Sequence, residues 1–224
     1  MGVPSNHRLV ALVPMRHHSE RVPGKNYRMV AGRPLYAYVL ETLSACPELE
    51  AIVVNTDSPE IQAGIAARFP QVVVLDRPEH LRADSLSINE VLAYDLTQVS
   101  AGFYLQTHST NPLLRPETIR AAIAAFFQAY PEVDSLFGVT RLQTRLWDGA
   151  GSPLNHDPQA LLRTQDLKPV FEENSCLYIF ERELFQHRRN RLGERPLMYE
   201  IASEEAWDID EEWDLKVAEA LLTR

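Results

Sequence analysis

The alternation of short apolar runs with helical segments constrains the fold of this chain more than any other feature. The apolar runs are four to five residues long and are bounded by turn or helix signals, which is typical of strands buried on both faces. We predict such strands at residues 9–13, 51–55, 72–75, 103–106, 135–139 and 176–180.

Helix start signals lie between these strands. Proline suits the first helical position, and it opens three of the predicted helices, at residues 34–44, 59–69 and 116–130. Ser87 and Glu90 have the spacing of a capping box before residues 91–99, and a last helix is predicted at residues 211–222. The alternation predicts an α/β fold with a doubly wound, mostly parallel sheet covered on both faces.

The regular alternation stops after Thr140. Residues 142–173 are mixed, polar and rich in turn residues such as Gly149, Gly151 and Pro153. This stretch is too elaborate for an ordinary connection. We therefore predict a single domain over residues 1–224 that carries an inserted lobe at about residues 141–173.

The predicted sheet also indicates where a ligand would bind. In an open α/β sheet, ligands bind outside the carboxyl ends of the strands. We therefore expect the site to be built from the segments that directly follow strands, at residues 16–26, 55–58, 76–87 and 107–115.

Charge and cysteine content exclude several classes of protein. The formal net charge of −9 argues against a nucleic-acid partner, which needs a basic face. No apolar run approaches the ~18–20 residues of a membrane helix, so no membrane association is predicted. Cys46 and Cys176 are far apart and have no partner motif, which argues against a disulfide framework and for a reducing compartment, the cytoplasm.

The charges are distributed unevenly along the chain. Residues 16–28 carry four cations and one acid, whereas residues 200–214 carry eight acids and no lysine or arginine. A cationic loop and an acidic segment suit a polyphosphate and a hard cation held between them. Two solvated surface patches are the alternative interpretation.

The cationic loop follows the first predicted strand and reads R-x-x-S-x-R-x-P-G-K-N from Arg16 to Asn26. Cations, a flexible glycine and exposed backbone N–H groups can bind a triphosphate. The loop matches neither the GxxxxGK[ST] nor the GxGxxG pattern, which weakens the ATPase and dehydrogenase interpretations. An ordinary loop with a turn at Pro23 and Gly24 is the alternative.

Asp208 and Asp210 form the core of the acidic segment. In an extended backbone, Trp207 and Ile209 would pack inward and the two carboxylates would point together into the cleft. Two converging carboxylates repel each other unless a cation lies between them, and Mg²⁺ binds one or two carboxylates together with substrate phosphates. Alternatively, Asp210 caps the last helix and Asp208 is solvated.

Six segments resemble, in sequence order, those of the acylneuraminate (CMP-sialic acid synthetase-like) cytidylyltransferases. They are the loop at residues 16–26, V-N-T-D at 54–57, R-P-E-H-L with Asp84 at 77–84, L-Q with N-P-L and Arg115 at 105–115, R-T-Q-D-L with Glu173 and Asn174 at 163–174, and D-I-D at 208–210. The resemblance implies a Rossmann-like nucleotidyltransferase that transfers CMP from CTP to the anomeric hydroxyl of a sialic-acid-like 2-keto-3-deoxy sugar acid.

The resemblance also implies roles for individual residues. Binding of CTP would involve Arg16, Ser19, Arg21, Lys25, Asn26, Arg77, Asp84 and Ser87, although the capping role of Ser87 is a sufficient explanation for that residue. The acceptor sugar would lie near Gln106, Arg163, Gln165 and Asn174, and Mg²⁺ would bind Asp208 and Asp210. Catalysis would rest on Arg16, Lys25, Asp208 and Asp210. The inserted lobe would be exchanged in a homodimer.

Several positions depart from the family pattern. His17 and His18 stand where glycine is common, and Ser175 replaces the glycine that follows Asn174. The basic residues that hold the sugar carboxylate in sialic-acid members are replaced by Trp147 and Glu172. Three arginines could take over that role, Arg141, Arg145 and Arg163, or the acceptor is a related nonulosonic or octulosonic acid.

Other interpretations stay open at this point. His108 is predicted to be an exposed loop histidine, with contact to the sugar as the alternative. The chain could be a nucleotidyltransferase for another sugar or a sugar phosphate. It could also be a non-catalytic nucleotide-sugar-binding protein, although the intact cationic and acidic motifs argue against that.

Overall fold

The computed structural model describes residues 8–223. Within this range the strands are β1 (Leu9–Met15), β2 (Met29–Val30), β3 (Arg33–Pro34), β4 (Ala51–Thr56), β5 (Val73–Asp76), β6 (Phe103–Thr107), β7 (Ser135–Leu142), β8 (Val170–Glu181) and β9 (Pro196–Glu200). The helices are α1 (Leu35–Ser44), α2 (Pro59–Arg68), α3 (Ile88–Gln98), α4 (Pro116–Ala129), α5 (Arg182–Arg188) and α6 (Glu212–Leu222).

The main sheet has the strand order β5-β4-β1-β6-β8-β7-β9. Strands β5, β4, β1 and β6 run parallel, β8 is antiparallel to both β6 and β7, and β9 is parallel to β7. The predicted α/β fold with a mostly parallel sheet is therefore confirmed.

Helices cover both faces of the sheet. One face packs against α1, α2 and α4 through residues such as Val39, Ile61 and Phe126. The other packs against α3 and α5 through residues such as Leu92 and Phe185. Because β1 is covered on both sides, residues 9–13 are almost completely buried, which explains their continuous apolar composition.

The predicted elements are present, with ends that shift by a few residues. Helix α3 begins three residues earlier than predicted because Ser87 is its N-cap and accepts a hydrogen bond from the Asn89 N–H. Helix α6 has a capping box formed by Glu211 and Asp214, so Asp210 is not its cap. Freed from that role, the Asp210 side chain faces the cationic loop.

The sequence pattern did not indicate the β2–β3 hairpin, α5 or β9, and it predicted only the second half of β8. Strands β7 and β8 pair as far as Leu142 and Val170, and the intervening residues 143–169 contain a bridge between Trp147 and Pro153 and a 3-10 turn at Thr164–Asp166. The inserted lobe as a distinct unit stays a prediction. None of the helices within residues 8–223 is long and apolar enough to cross a membrane.

Candidate active site

A cavity of about 450 Å³, here called the cleft, opens at the carboxyl ends of β1 and β6. This is the edge at which a ligand site was expected. Its wall combines the cationic loop, the segment after β6 and the acidic segment before α6. The lining residues are Pro14, Arg16, His18, Ser19, Glu20, Arg21, Lys25, Asn26, Asp84, His108, Ser109, Thr110, Ser175, Asp208 and Asp210.

The two oppositely charged ends of the chain meet in the cleft. Lys25 Nζ donates to the carbonyl oxygen of Ile209 at 2.6 Å and to Asp210 Oδ1 at 3.3 Å, across 185 positions of sequence. Arg21 also donates to Asp210 Oδ1, at 2.7 Å. The Lys25 side chain is only 13% exposed, so its ammonium group is held in place by the acidic segment.

The cationic loop is fixed from behind by buried polar groups. Asn26 Nδ2 donates to the carbonyl oxygen of Arg16 at 2.7 Å, and Ser109 Oγ donates to Asn26 Oδ1 at the same distance. Ser19 Oγ accepts a hydrogen bond from the Val22 N–H at 3.4 Å. Asn26 and Ser19 therefore support the loop, and Arg16 is left at the cleft wall.

His17 and His18 replace glycine without requiring a left-handed backbone. Neither is among the positive-φ residues of the described chain. His17 anchors the loop: its N–H donates to Asp57 Oδ1 at 2.8 Å, and its Nδ1 lies 3.0 Å from Ser58 Oγ. Its ring also stacks on Tyr27 with a centroid distance of 5.3 Å. The contacts of His17 with Asp57, Ser58 and Tyr27 therefore fix the path of the loop, which does not need the backbone freedom of glycine at this position.

A smaller cavity of about 220 Å³, here called the side pocket, adjoins the cleft and shares Pro14, Arg16, Asp84 and His108 with it. Its remaining wall is largely apolar and comes from the segment between β5 and α3 and from the first turn of α3. The residues on that side are Arg77, Leu81, Ala83, Leu86, Ile88 and Val91. Ser87 is not part of this wall, because it caps α3.

Arg16 and Asp84 form a salt bridge of 2.5 Å at the junction of the cleft and the side pocket. Behind it, buried Arg77 donates to Asn55 Oδ1 at 2.7 Å, and Asn55 Nδ2 donates to Asp95 Oδ1 at 2.5 Å. Burial raises the pKa of the Asp95 carboxyl to about 7, opposed by the hydrogen bond from Asn55 and by the charge of Arg77. This buried network holds the Arg77 guanidinium against the side pocket.

Asp208 and Asp210 both line the cleft, and Ile209 between them is fully buried, as the alternation of an extended segment requires. Burial and the neighbouring Asp210 carboxylate raise the pKa of Asp208, whereas a hydrogen bond with Thr110 and the charge of Lys25 lower it. Asp208 Oδ1 is buried without a hydrogen-bond partner within the part of the chain that the structure describes.

The unpartnered oxygen of Asp208 indicates whether the residues of the cleft could bind a divalent cation. A buried carboxylate oxygen normally has a partner, so an unsatisfied one on a residue that lines the cleft is available to a cation. No group of three or more His, Cys, Asp or Glu side chains suited to a metal is found within residues 8–223. Two carboxylates alone match Mg²⁺, which completes its shell with phosphate oxygens and water. The donor set therefore fits Mg²⁺ delivered together with a nucleotide.

The segment after β6 closes the other side of the cleft. Gln106 is completely buried: its Nε2 donates to the carbonyl oxygen of Thr107 and lies 3.0 Å from His108 Nε2, and its Oε1 accepts from Arg191. Gln106 therefore supports the cleft wall from behind. The prediction that His108 is an exposed loop residue is wrong, since His108 is half-buried at the cleft and burial lowers its pKa to about 4.

The other residues assigned to the sugar lie outside the cleft of this chain. Arg163 is exposed and forms a salt bridge of 2.7 Å with Asp166, next to exposed Gln165 in the 3-10 turn. Asn174 is buried and donates to Thr140 Oγ1 at 3.1 Å. Its neighbour Ser175 does line the cleft and has a φ of 57°, the backbone conformation of the glycine it replaces.

Three residues of the site were not found by sequence reasoning. Ser109 and Thr110 lie in the polar run that directly follows β6, so their place at a strand end was an available signal. Arg191 lies between α5 and β9, and no local pattern connects it to the site. Only the folded chain brings it to Gln106.

The chain is similar to known proteins over nearly its whole described length. A family model described as cytidylyltransferase matches residues 10–221. The CMP-N,N'-diacetyllegionaminic acid synthase of Legionella pneumophila is 29% identical to this chain over 230 aligned positions, which cover 96% of each protein. The N-acylneuraminate cytidylyltransferase A of Danio rerio is 28% identical over 222 residues. The alignment covers 96% of this chain but only 50% of that relative, so the chain spans about half of the relative's length.

The fold is shared with solved structures at lower identity. CMP-2-keto-3-deoxy-manno-octonic acid synthetase, solved in complex with CTP, superposes with a TM-score of 0.74 at 17% identity and covers 96% of this chain and 98% of its own. A 4-diphosphocytidyl-2C-methyl-D-erythritol synthase from Anaerococcus prevotii superposes with a TM-score of 0.72 at 13% identity. The superposition covers 98% of this chain and 100% of the synthase. The family match spans nearly the whole described chain, and the predicted resemblance to the acylneuraminate enzymes is confirmed: this protein belongs to the cytidylyltransferase family.

Proposed function

We propose that this protein transfers CMP from CTP to the anomeric hydroxyl of a sialic-acid-like 2-keto-3-deoxy sugar acid and releases pyrophosphate. One observation carries the proposal: Lys25 of the cationic loop lies 3.3 Å from Asp210 of the acidic segment inside a single cleft. A site that places two cationic side chains opposite two carboxylates can hold a triphosphate and a divalent cation together.

The names of the relatives support the choice of substrates. The Legionella protein is a synthase of a CMP-linked legionaminic acid, and the Danio rerio protein is an N-acylneuraminate cytidylyltransferase. One name describes a CMP-linked acid, and the other describes the transfer of a cytidylyl group to an N-acylneuraminate. We extend this substrate class, and not one particular sugar, to the present chain.

The nucleotide would extend from the side pocket into the cleft. The apolar wall of the side pocket suits a flat base, and Arg77 and Asp84 at its rim suit the nucleoside. The triphosphate would then reach Arg16 and Lys25. Since Arg16 is paired with Asp84 at 2.5 Å, a phosphate oxygen would compete with that carboxylate for the guanidinium. Arg21, paired with Asp210, would stay a support of the loop.

Asp208 and Asp210 would hold Mg²⁺, which supplies charge neutralisation on the phosphates and acidifies the attacking hydroxyl. Asp208 offers the buried oxygen without a partner, and Asp210 is oriented by Arg21 and Lys25. Thr110 helps to position Asp208 through its hydrogen bond.

The chemical step is a displacement at phosphorus. The anomeric oxygen forms a bond to the α-phosphorus while the bond from that phosphorus to the bridging oxygen of the β-phosphate breaks. The hydroxyl proton passes to solvent, and the electron pair of the broken bond leaves with pyrophosphate. Lys25 and Arg16 neutralise the negative charge that grows on the leaving group, which is the main contribution a protein makes to such transfers.

The assembly we favour is a cytoplasmic homodimer. Both cysteines are buried and free, which suits a reducing compartment. Residues 141–173 carry exposed large apolar side chains, among them Leu161 at 79% and Leu154 at 62% exposure. A second copy that covers these side chains would also bring Arg163 and Gln165 towards the partner's site, where the resemblance places them.

A pyrophosphate-release screen tests the proposal. The protein is incubated with Mg²⁺, a panel of 2-keto-3-deoxy sugar acids, and CTP, UTP or GTP in parallel. We expect release with CTP and at least one nine- or eight-carbon sugar acid. Release only with UTP or GTP, or only with a sugar phosphate, would contradict the proposed substrates. No release with any combination would contradict an enzymatic role.

Matched variants test the metal site within the same assay. Asp208→Asn and Asp210→Asn keep the side-chain volume but remove the charge, so turnover should fall by at least about 100-fold while the melting temperature stays within a few degrees. Asp76→Asn changes an exposed carboxylate outside the cleft and serves as the control. Full activity of both cleft variants would refute the metal role.

A further inference from the structure

Arg191 occupies an unusual place between α5 and β9. Its guanidinium carbon lies 3.5 Å from the centre of the Tyr178 ring, and its Nη1 donates to Gln106 Oε1. Gln106 and Tyr178 are direct partners in the β6–β8 ladder, so Arg191 is placed across both strands. The cation–π contact and the hydrogen bond together orient the guanidinium plane.

Arg191 forms no direct salt bridge within residues 8–223. The carboxylate that acts on its charge, Glu173, accepts a hydrogen bond from the Tyr178 hydroxyl instead. Burial lowers the pKa of its guanidinium, with Tyr178 and Glu173 nearby acting in the opposite direction. A guanidinium has five N–H donors, and the hydrogen bond to Gln106 uses only one of them, so Arg191 can receive a further anionic group.

Gln106 and Tyr178 link the Arg191 guanidinium to two residues of the cleft wall. Gln106 connects it to His108 at 3.0 Å, and the Tyr178 hydroxyl, which donates to Glu173, lies 3.4 Å from Ser175 Oγ. His108 and Ser175 both line the cleft, and His108 also lines the side pocket. Arg191 does not line the cleft itself but keeps part of its surface exposed, so a ligand group would have to pass these two residues to contact it.

None of the three arginines considered from sequence lines the cleft, and Arg141 is exposed on β7. Arg163 is paired with Asp166, and Arg145 donates to the carbonyl oxygen of Leu162 at 2.5 Å. The positions at which basic residues were expected are Trp147, which packs against His156, and Glu172 on β8. Arg191 differs from them because it is linked to two residues of the cleft wall, His108 through Gln106 and Ser175 through Tyr178.

We propose that Arg191 binds the carboxylate of the acceptor sugar and thereby selects acidic over neutral acceptors. The inference rests on the proposed cytidylyltransferase function and names a specificity residue for it. The planar guanidinium can offer two parallel N–H donors to a carboxylate, which a lysine cannot do. Gln106 and Tyr178 act as positioning residues for Arg191.

The test compares a sugar acid with its carboxamide, which has the same size but no charge. The full chain is assayed with saturating CTP and Mg²⁺, and each acceptor is compared as kcat/KM, or as an inhibition constant where turnover is too slow. We expect the wild type to prefer the acid by about 10- to 100-fold, the range of one charge-assisted contact. Arg191→Gln should lose most of that preference, with a KM for CTP within about twofold of the wild-type value.

The control is Arg189→Gln in the same loop, since Arg189 is exposed and lies 3.9 Å from Glu90, away from the cleft. It should keep the full preference. If Arg191→Gln retains the preference for the acid, or loses activity equally with acid and amide, the inference is overturned.

Two further outcomes separate folding and function from the inference. If Arg191→Gln does not fold, as judged by its thermal transition, Arg191→Lys replaces it: a reduced preference supports the inference, and an unchanged one overturns it. If the wild type uses no sugar acid at all, the proposed function fails and the inference with it. If the wild type is active on the acid and the variant has the same ratio of kcat/KM for acid and carboxamide, the role of Arg191 is refuted and the proposed function stands.

Discussion

The buried carboxyl of Asp95 allows the electrostatics behind the side pocket to be tested by stability measurements alone. Asp95 is 1% exposed and accepts a hydrogen bond from Asn55, which in turn accepts one from Arg77. Asp95→Asn keeps the shape and an oxygen that can accept from Asn55, but it cannot ionise. The difference between the two proteins therefore isolates the charge of Asp95.

The sign and size of the effect follow from the pKa. Burial raises the pKa of Asp95 from 3.8 to about 7 in the folded protein. The folded state thus binds more protons than the unfolded state between about pH 4 and pH 7, and its stability falls as the pH rises through that window. At ~1.4 kcal/mol per pH unit the upper limit is about 4 kcal/mol. Local rearrangement around the charged form lowers this, so we expect about 2 kcal/mol.

The assay is equilibrium unfolding in urea at pH 5 and pH 8 for the wild type, Asp95→Asn and the exposed control Asp76→Asn. Relative to the wild type, Asp95→Asn should gain about 2 kcal/mol between pH 5 and pH 8, because only the wild type has to bury a charge at pH 8. Groups that titrate in both proteins cancel in this comparison. Asp76→Asn should follow the wild type.

One result would refute the reasoning. If the wild type and Asp95→Asn lose stability in parallel from pH 5 to pH 8, Asp95 is already ionised in the folded protein at pH 5. The positive charge of Arg77 would then outweigh burial. The network would have to be described as a buried ion pair that Asn55 bridges.

Two other features lead to direct measurements. Ser175 has a φ of 57°, a backbone conformation that is unfavourable for a residue with a Cβ atom. Ser175→Gly should therefore be more stable than Ser175→Ala by about 1 kcal/mol in urea unfolding, since both variants lack the hydroxyl and only alanine keeps the Cβ. Equal stability of the two variants would contradict backbone strain at this position. Leu161→Glu should weaken a homodimer in sedimentation experiments, because it would bury an unpaired charge in the proposed interface. Met29→Glu, at another exposed apolar position, should leave the dimer unchanged. A dimer unaffected by both substitutions would place the interface outside residues 141–173.

Much of the site could be predicted because its residues follow strands that are visible in the sequence. Arg16 and Lys25 come after β1, and Asp84 lies in the segment after β5. The carboxyl ends of parallel strands lie at one edge of the sheet, so these residues were expected to be close together. The buried Ile209 between two aspartates likewise indicated an extended segment with both carboxylates on one side.

The failures have a common physical origin. His108 was expected to be exposed because loop histidines usually are, but Gln106 and the neighbouring strand β8 enclose it. The anchoring of the loop by His17 depends on Asp57, which lies 40 positions away. Such contacts depend on which elements become neighbours, and no pattern within a few residues carries that information.

The sequence by itself determined the strands, the helices and the kinds of side chain at the strand ends, because backbone preferences and the order of apolar and polar residues act over a few positions. The tertiary structure decided which distant groups meet: Lys25 with Asp210, and Arg191 with Gln106. The physical reason is that these pairs depend on the order in which seven strands assemble into the main sheet, which results from burying both of its faces at once.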